Sequence, residues 1–521
     1  MSFLSALFGP KKGPPQPPKD PGAPTKKPNR FRRDADSFAA RCTLWTTLLA
    51  KSPADKPTGH VAVVVSPWIS TPVPFFALEC ALALRQTGLH VTLLWDSTEI
   101  VGNVPNKKHV DVIASVFSAL PPGMQIVDIS AAGEGTPSTE ADTALATRIV
   151  YENAVRNVRG EMNVETFFAA HPEAEADTRA HFARIRQTLA SLSLDWLLVP
   201  GGIFGVSAVY VEIARELGLH FSTFDSGPGR LRVVHDGVAA HLADLPRAFE
   251  IMNAEMSDAQ KARGRELAFA EMDRRTQGSD DRNLQVTPAT GAEHRCDILI
   301  PLNIRWDSAA LSRQRLFASV EESIAAVLDW AAAKPGVTVC IRQHPSERRD
   351  HMRGSDTWQH LKDRFAHMGE RARWIAATDP VNTYDLIRAA RAVLPHTSTV
   401  GIEAALLGRP VILSTRVYYG AFSFVWNPST REEFFALLEQ SLTGGLFVTE
   451  SAKAEAALAY FITQQCSVLR TRFTPQNDDY VRWIETPPDT LWQEPEPHDF
   501  LTAMLTREPL PALRARRILA A

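Results

Sequence analysis

The stretch from Arg391 to Thr415, RAVLPHTSTVGIEAALLGRPVILST, constrains the rest of the chain most. It reads as strand, polar turn, helix, glycine stop and strand. Ala392 to Pro395 is a short apolar run with a β-branched valine. His396, Thr397, Ser398 and Thr399 form a cluster of small polar groups. Ile402 to Leu407 has helical composition, and Gly408 stands where a helix C-terminal glycine belongs. Val411, Ile412 and Leu413 read as the next buried parallel strand. The polar cluster therefore falls where a strand ends and a helix begins, a place whose unpaired N–H groups favour an anion. Ser398 or Thr399 capping the helix explains the same pattern. The neighbouring loops decide between the two.

Two α/β sets surround this unit. In the first, HVAVVVS (His60–Ser66), HVTLLW (His90–Trp95), Gln125–Ile129, DWLLVP (Asp195–Pro200) and His220–Phe224 read as strands, separated by helical segments such as Phe75–Thr87 and Val206–Leu217. The loop after the first strand lacks a G-x-G-x-x-G fingerprint, which argues against a dinucleotide there. Asp225 to Arg230 reads as a mobile loop at a strand's carboxyl end, and His235-Asp236-Gly237 as a hairpin turn between Leu231–Val234 and Val238–Leu242. In the second set, Cys296–Leu302, Val337–Arg342, Arg373–Ala376 and the opening stretch supply strands, with a long helix over Ser312–Ala333. The expected class is α/β, with two doubly wound Rossmann-like domains. The divisions are a proline-rich, disordered segment at 1–35, a first domain at 36–290, a second at 291–470, and a tail at 471–521 that packs across both.

Residues 1–30 hold eight of the 36 prolines, with Phe3, Leu4, Leu7 and Phe8 offering a short apolar turn for peripheral contact with a membrane or a partner. A frayed terminus is the plainer reading. A net charge of −3 gives no reason to expect nucleic acid as a partner. The five cysteines are scattered and lack metal-type spacing, which fits a reducing, cytoplasmic setting and no metal site. No window of about 18 apolar residues exists, so no membrane-spanning helix is expected.

Three loops of the second set stand at successive strand ends, where open α/β sheets form their ligand crevice. They carry Asn303 to Asp307, then Arg342, His344 and Pro345, then His396 to Thr399. Amide, imidazole, guanidinium and hydroxyl groups together suit a phosphorylated ligand. Arg342 is expected to pair phosphate oxygens, and His344 to give a hydrogen bond or proton to a leaving phosphate. Glu403, in the first helical turn, is either an acceptor for ribose hydroxyls or a carboxylate serving the helix terminus. Asp225 is a candidate general base on the first set, and Asp236 a further acid.

The run from His396 to Ala405, followed by Gly408-Arg409-Pro410-Val411-Ile412, resembles the donor-binding half of GT-B glycosyltransferases. The likeness is to bacterial capsule and surface-polysaccharide enzymes, including Kdo transferases and polysialyltransferase-like proteins. In such families a His-Pro motif and a downstream Ser/Thr pair bind the phosphate and ribose of a CMP-sugar. His344-Pro345 and Ser398-Thr399 match those positions. The resemblance covers roughly residues 295–430. It implies a GT-B-like fold, a nucleotide-sugar donor and no other cofactor, and a glycan or lipid-linked glycan acceptor. It departs in the acidic pair before glycine that supplies the base in sialyltransferase-like families. His235-Asp236-Gly237 has only one acid. Nucleotide-sugar 2-epimerases, polyol-phosphate transferases and non-catalytic assembly proteins share the motifs. Oligomeric state, linkage and stereochemical outcome are not readable from these residues.

Overall fold

The computed structural model describes residues 30–51, 58–68, 73–100, 107–131, 139–227, 230–279, 284–285, 287–291, 293–470, 484 and 486–520. The expectations for residues 1–29, including the apolar turn, lie outside these.

The first sheet has six strands: β1 (His60–Val65), β2 (His90–Trp95), β3 (Gln125–Asp128), β4 (Trp196–Pro200), β5 (His220–Gly227) and β6 (Arg230–His235). Their order is β3-β2-β1-β4-β5-β6, parallel except for β6, which runs antiparallel to β5. β1 is buried from Val61 to Val65, as an apolar run covered on both faces by helices must be. The helix Val73–Gln86 is buried at every position from Val73 to Leu84, so both its stripes face protein. The crossover from β3 to β4 holds three helices, and Thr139 starts the first with a reciprocal capping box to Asp142.

The second sheet is β7 (Ile298–Pro301), β8 (Val339–Arg342), β9 (Ala372–Ile375) and β10 (Ala392–Val393), ordered β10-β7-β8-β9 and wholly parallel. Single bridges Val393–Val411 and Ile412–Trp426 carry the pairing outward. Both sheets therefore wind the same way, reversing direction between β1 and β4 and between β7 and β10. This is the doubly wound, GT-B-like pair expected.

The helices Leu245–Glu255 and Asp258–Thr276 place Leu245, Met252, Ala268 and Met272 in the second core. Leu469 then bridges back to Leu231 on β6. Beyond it, Phe500 and Met504 enter the first core while Ala512 and Ala515 enter the second. Among the described residues, no helix is long and apolar enough to cross a membrane.

Three local expectations change. Asp225 and Ser226 are not in a loop: they continue β5 and pair with Arg232 and Leu231. The hairpin is thus β5–β6, and Val238–Leu242 is not its second arm but contains a 3₁₀ turn, Ala239–His241. The helix expected from Ser312 begins at Val320, where Ser319 accepts a hydrogen bond from the Glu322 N–H and fixes the start.

Candidate functional site

The carboxyl ends of strands from both sheets line one cavity of about 320 Å³. Asp225 and Ser226 come from the end of β5. Asn303 follows β7, His344 follows β8, and Thr397, Ser398 and Thr399 follow β10. The expected crevice thus forms, and a wall from the first sheet completes it.

The expected residues fall into two groups. Asn303, His344, Ser398, Thr399 and Asp225 line the cavity. Asn303 donates to Thr397 Oγ1 at 3.0 Å and accepts from the Thr397 N–H at 3.2 Å, so it braces the polar turn. His344 Nδ1 accepts from the Ser346 N–H at 3.2 Å, which starts the short turn opened by Pro345. That bond leaves the proton of the neutral ring on Nε2. Ser398 Oγ accepts from the Val400 N–H at 3.3 Å, whereas Thr399 makes no side-chain cap bond.

Arg342, Pro345, His396 and Glu403 do not line this cavity. Arg342 is almost wholly buried and donates to the carbonyls of Ala376 and Val381, holding the loop after β9. Burial lowers its pKa to about 10. The expected pairing of Arg342 with phosphate is therefore corrected: backbone carbonyls take those donors. His396 is buried, and its Nε2 donates to the Ala310 carbonyl at 3.0 Å. Burial, helped by Arg305, pushes its pKa down to about 3, so this ring is a neutral internal tie and not a ligand group. Glu403 is 3 % exposed. One oxygen pairs with Arg275 and the other accepts from Tyr384 Oη at 3.1 Å. Neither of the two roles expected of Glu403 describes these contacts: its carboxylate is an internal ion-pair partner. Arg342, Pro345 and Glu403 border a narrower recess of about 70 Å³ that meets the main cavity at His344, Ser398 and Thr399. Asp236 lies in a turn with φ of 51°, accepts from the Phe221 N–H and pairs with Arg507, away from the cleft.

Sequence reasoning missed the cavity's charge. Arg232 on β6, Arg313 and Arg416 line it. Among the described residues, none of these three has a carboxylate within 4.0 Å. Arg313 donates to the Arg416 carbonyl at 2.7 Å, and burial together with the Arg416 charge lowers its pKa. Like charges held together in this way demand an anion. Asp225 lines the same cavity, cross-strand from Arg232. Burial raises its pKa; Arg232 pulls it back, and Asp307 from the second sheet pushes it up again. Arg230 and Arg232 occupy half-buried positions of an alternating strand whose other face is core, and that alternation was the available signal.

A second lobe of about 350 Å³ adjoins the first. Asp225, Ser226, Asp307 and Ser308 border both. Its remaining wall is largely aromatic and apolar, with Trp68, Phe204 and Trp306. Among the described residues, no cluster of three or more histidine, cysteine or acidic side chains is arranged to hold a metal ion.

Residues 250–432 match the family described as capsule polysaccharide biosynthesis protein. The stretch that carried the resemblance lies inside that match, which bears out the likeness to capsule and surface-polysaccharide enzymes. No curated protein matches the chain by sequence. Among solved structures, the KpsC β-Kdo 2,7-transferase of Thermosulfurimonas dismutans is similar at 16 % identity, over 53 % of this chain and 79 % of that one, with a TM-score of 0.33. WaaG, a glycosyltransferase of lipopolysaccharide biosynthesis, is similar at 13 % identity, over 78 % and 96 %, with a TM-score of 0.28. A putative UDP-N-acetylglucosamine 2-epimerase from Listeria monocytogenes is similar at 11 % identity, over 87 % and 98 %, with a TM-score of 0.25.

Proposed function

We propose that the chain is a glycosyltransferase that moves a sugar from a nucleotide-sugar, in its CMP-sugar form, to a surface or capsular polysaccharide acceptor. One observation carries this: Arg232, Arg313 and Arg416, which have no carboxylate partner within 4.0 Å among the described residues, line with the half-buried Asp225 a cavity shared by the two sheets. The arginines bind the donor phosphate, with the guanidinium geometry suited to its oxygens. His344 Nε2–H donates to the phosphate oxygen as it leaves, stabilising charge that develops in the transition state. The anomeric carbon–oxygen bond breaks with its electron pair going to phosphate. The acceptor oxygen forms the new bond, and its proton passes to Asp225. A carboxylate with a raised pKa is the better base for that step. In this reading the arginines supply the positive charge, and added metal is not required. The acceptor is a glycan or a lipid-linked glycan met at the cytoplasmic face of a membrane.

Thermal-shift measurements with CMP, UDP, GDP and CDP test the donor site. Stabilisation by CMP in the wild type, weakened in Arg313→Ala and His344→Ala, supports it. UDP acting alone sinks the CMP form, and stabilisation by none sinks the donor site. Sugar turnover without any acceptor identifies a 2-epimerase instead.

A further inference from the structure

The second lobe, at about 350 Å³ against about 320 Å³, is as roomy as the first, and its chemistry differs. Trp68 packs on Gly201 just after β4, where a Cβ would stand 3.4 Å from the indole ring. Trp306 enters from the second sheet. Its Nε1–H is buried and has no hydrogen-bond partner among the described residues. An indole face with an unused donor is what a sugar ring needs: apolar C–H faces stack, and a hydroxyl accepts. The lobe also holds one cation. Arg156 lies over the Phe204 ring at 4.3 Å, and among the described residues no carboxylate comes within 4.0 Å of it. Asp225 and Asp307 attract Arg156 only at longer range, and Asp225 stands where the two lobes meet.

We infer that this lobe is the acceptor subsite, and that it selects a glycan end bearing an anionic substituent: Trp68 and Trp306 hold the ring and Arg156 pairs with its carboxylate or phosphate. The inference rests on the proposed transfer reaction and adds the acceptor's class. A neutral acceptor would leave Arg156, an exposed side chain that lines the lobe over Phe204, without a counter-charge. An anionic one completes it and turns the reacting hydroxyl toward Asp225. Arg156 is then a specificity-determining residue.

The test uses the full chain, the donor that stabilises it, and matched oligosaccharides ending in a neutral hexose, a uronic acid or a phosphorylated hexose. The wild type should prefer the acidic ends. Arg156→Ala should raise KM for them about tenfold to a hundredfold, the loss expected of a charge-assisted hydrogen bond, with little change in kcat or for the neutral end. Arg156→Lys should recover part of the loss, and Trp306→Phe should raise KM for all three by a smaller factor. Nucleotide-induced thermal shift should be unchanged in each variant, which separates a failed acceptor assignment from a failed donor site. Equal use of neutral and acidic ends by the wild type, or an unchanged KM in Arg156→Ala, overturns the inference. A uronic-only response names the carboxylate, and a phosphate-only response the phosphate, as the group Arg156 reads.

Discussion

Glu403 allows a sharp test, because its two roles differ in what a mutation should damage. Its side chain is 4 % exposed and that of Arg275 6 %. Arg275 also donates to Tyr460 Oη at 3.2 Å, and Tyr384 Oη donates to Glu403. The pair therefore ties the helix Asp258–Thr276 to the helices Val400–Leu406, Thr383–Ala389 and Glu450–Phe461. Burial opposes the charge on Arg275, yet Glu403 and the two tyrosines hold its pKa well above the ordinary value. Arg275→Met leaves a carboxylate buried with only a tyrosine for company, at a cost of about 3–5 kcal/mol. Glu403→Gln keeps the shape and the tyrosine bond and should cost less, about 1.5–3 kcal/mol, the value of a charged hydrogen bond. The double variant removes both charges and should fall short of the sum by about 2 kcal/mol, since no uncompensated ion remains. Urea unfolding of the ligand-free protein measures all three, and titration with the stabilising nucleotide measures binding to the folded forms. Nucleotide affinity should stay within about twofold in Glu403→Gln. If instead that variant kept its stability to about 0.5 kcal/mol and lost nucleotide affinity by tenfold or more, Glu403 would be a ligand group and the internal role would be wrong.

Two further outcomes follow from the titrating groups. Asp225 must be ionised to take a proton, and its pKa is raised by burial, so kcat/KM should climb with pH through an apparent pKa above the ordinary carboxylate value. Asp225→Asn should lose about 100- to 10,000-fold in kcat and abolish that limb; a limb that persists in the variant removes Asp225 from the mechanism. His396 should make the fold acid-sensitive. Above about pH 6.5 its ring is neutral in both states; from there down to about 3 only the unfolded chain takes the proton, so stability falls by about 1.4 kcal/mol per pH unit. His396→Gln should flatten the slope of unfolding free energy between pH 6 and 4, and an unchanged slope refutes the assignment.

Most of the scaffold was legible because buried parallel strands are written as continuous apolar runs, and His60–Val65 and His90–Trp95 were placed almost to the residue. The β5–β6 hairpin was not, because Asp225, Ser226 and Gly227 carry turn-type side chains yet extend a strand. Tertiary pairing overrode local propensity there. The site was half legible for a related reason. His344 and His396 are alike as residues, and so are Arg342 and Arg313. Whether a polar side chain faces a cavity or a carbonyl is decided by groups distant in sequence. Arg342 ends a buried strand and finds the carbonyls of Ala376 and Val381; Arg313 precedes an irregular segment and finds open space.

The distribution of charge across the whole molecule then gives the cleft its meaning. Elsewhere Arg41, Arg275 and Arg305 are buried against Glu79, Glu403 and Glu161, and Arg342 against two backbone carbonyls. That is the ordinary solution to the cost of desolvating an ion. Around the cavity, among the described residues, the half-buried Arg232 and Arg313 and the exposed Arg416 have no carboxylate partner, and burial together with the Arg416 charge lowers the pKa of Arg313. Like charges gathered without compensation weaken the ligand-free fold, so an arrangement that tolerates them points to a partner outside the chain. An anion bound between the arginines supplies the missing charge. Asp225, cross-strand from Arg232, already accepts from the Ser226 N–H and is kept at a raised pKa, ready to receive a proton and not to neutralise the cluster.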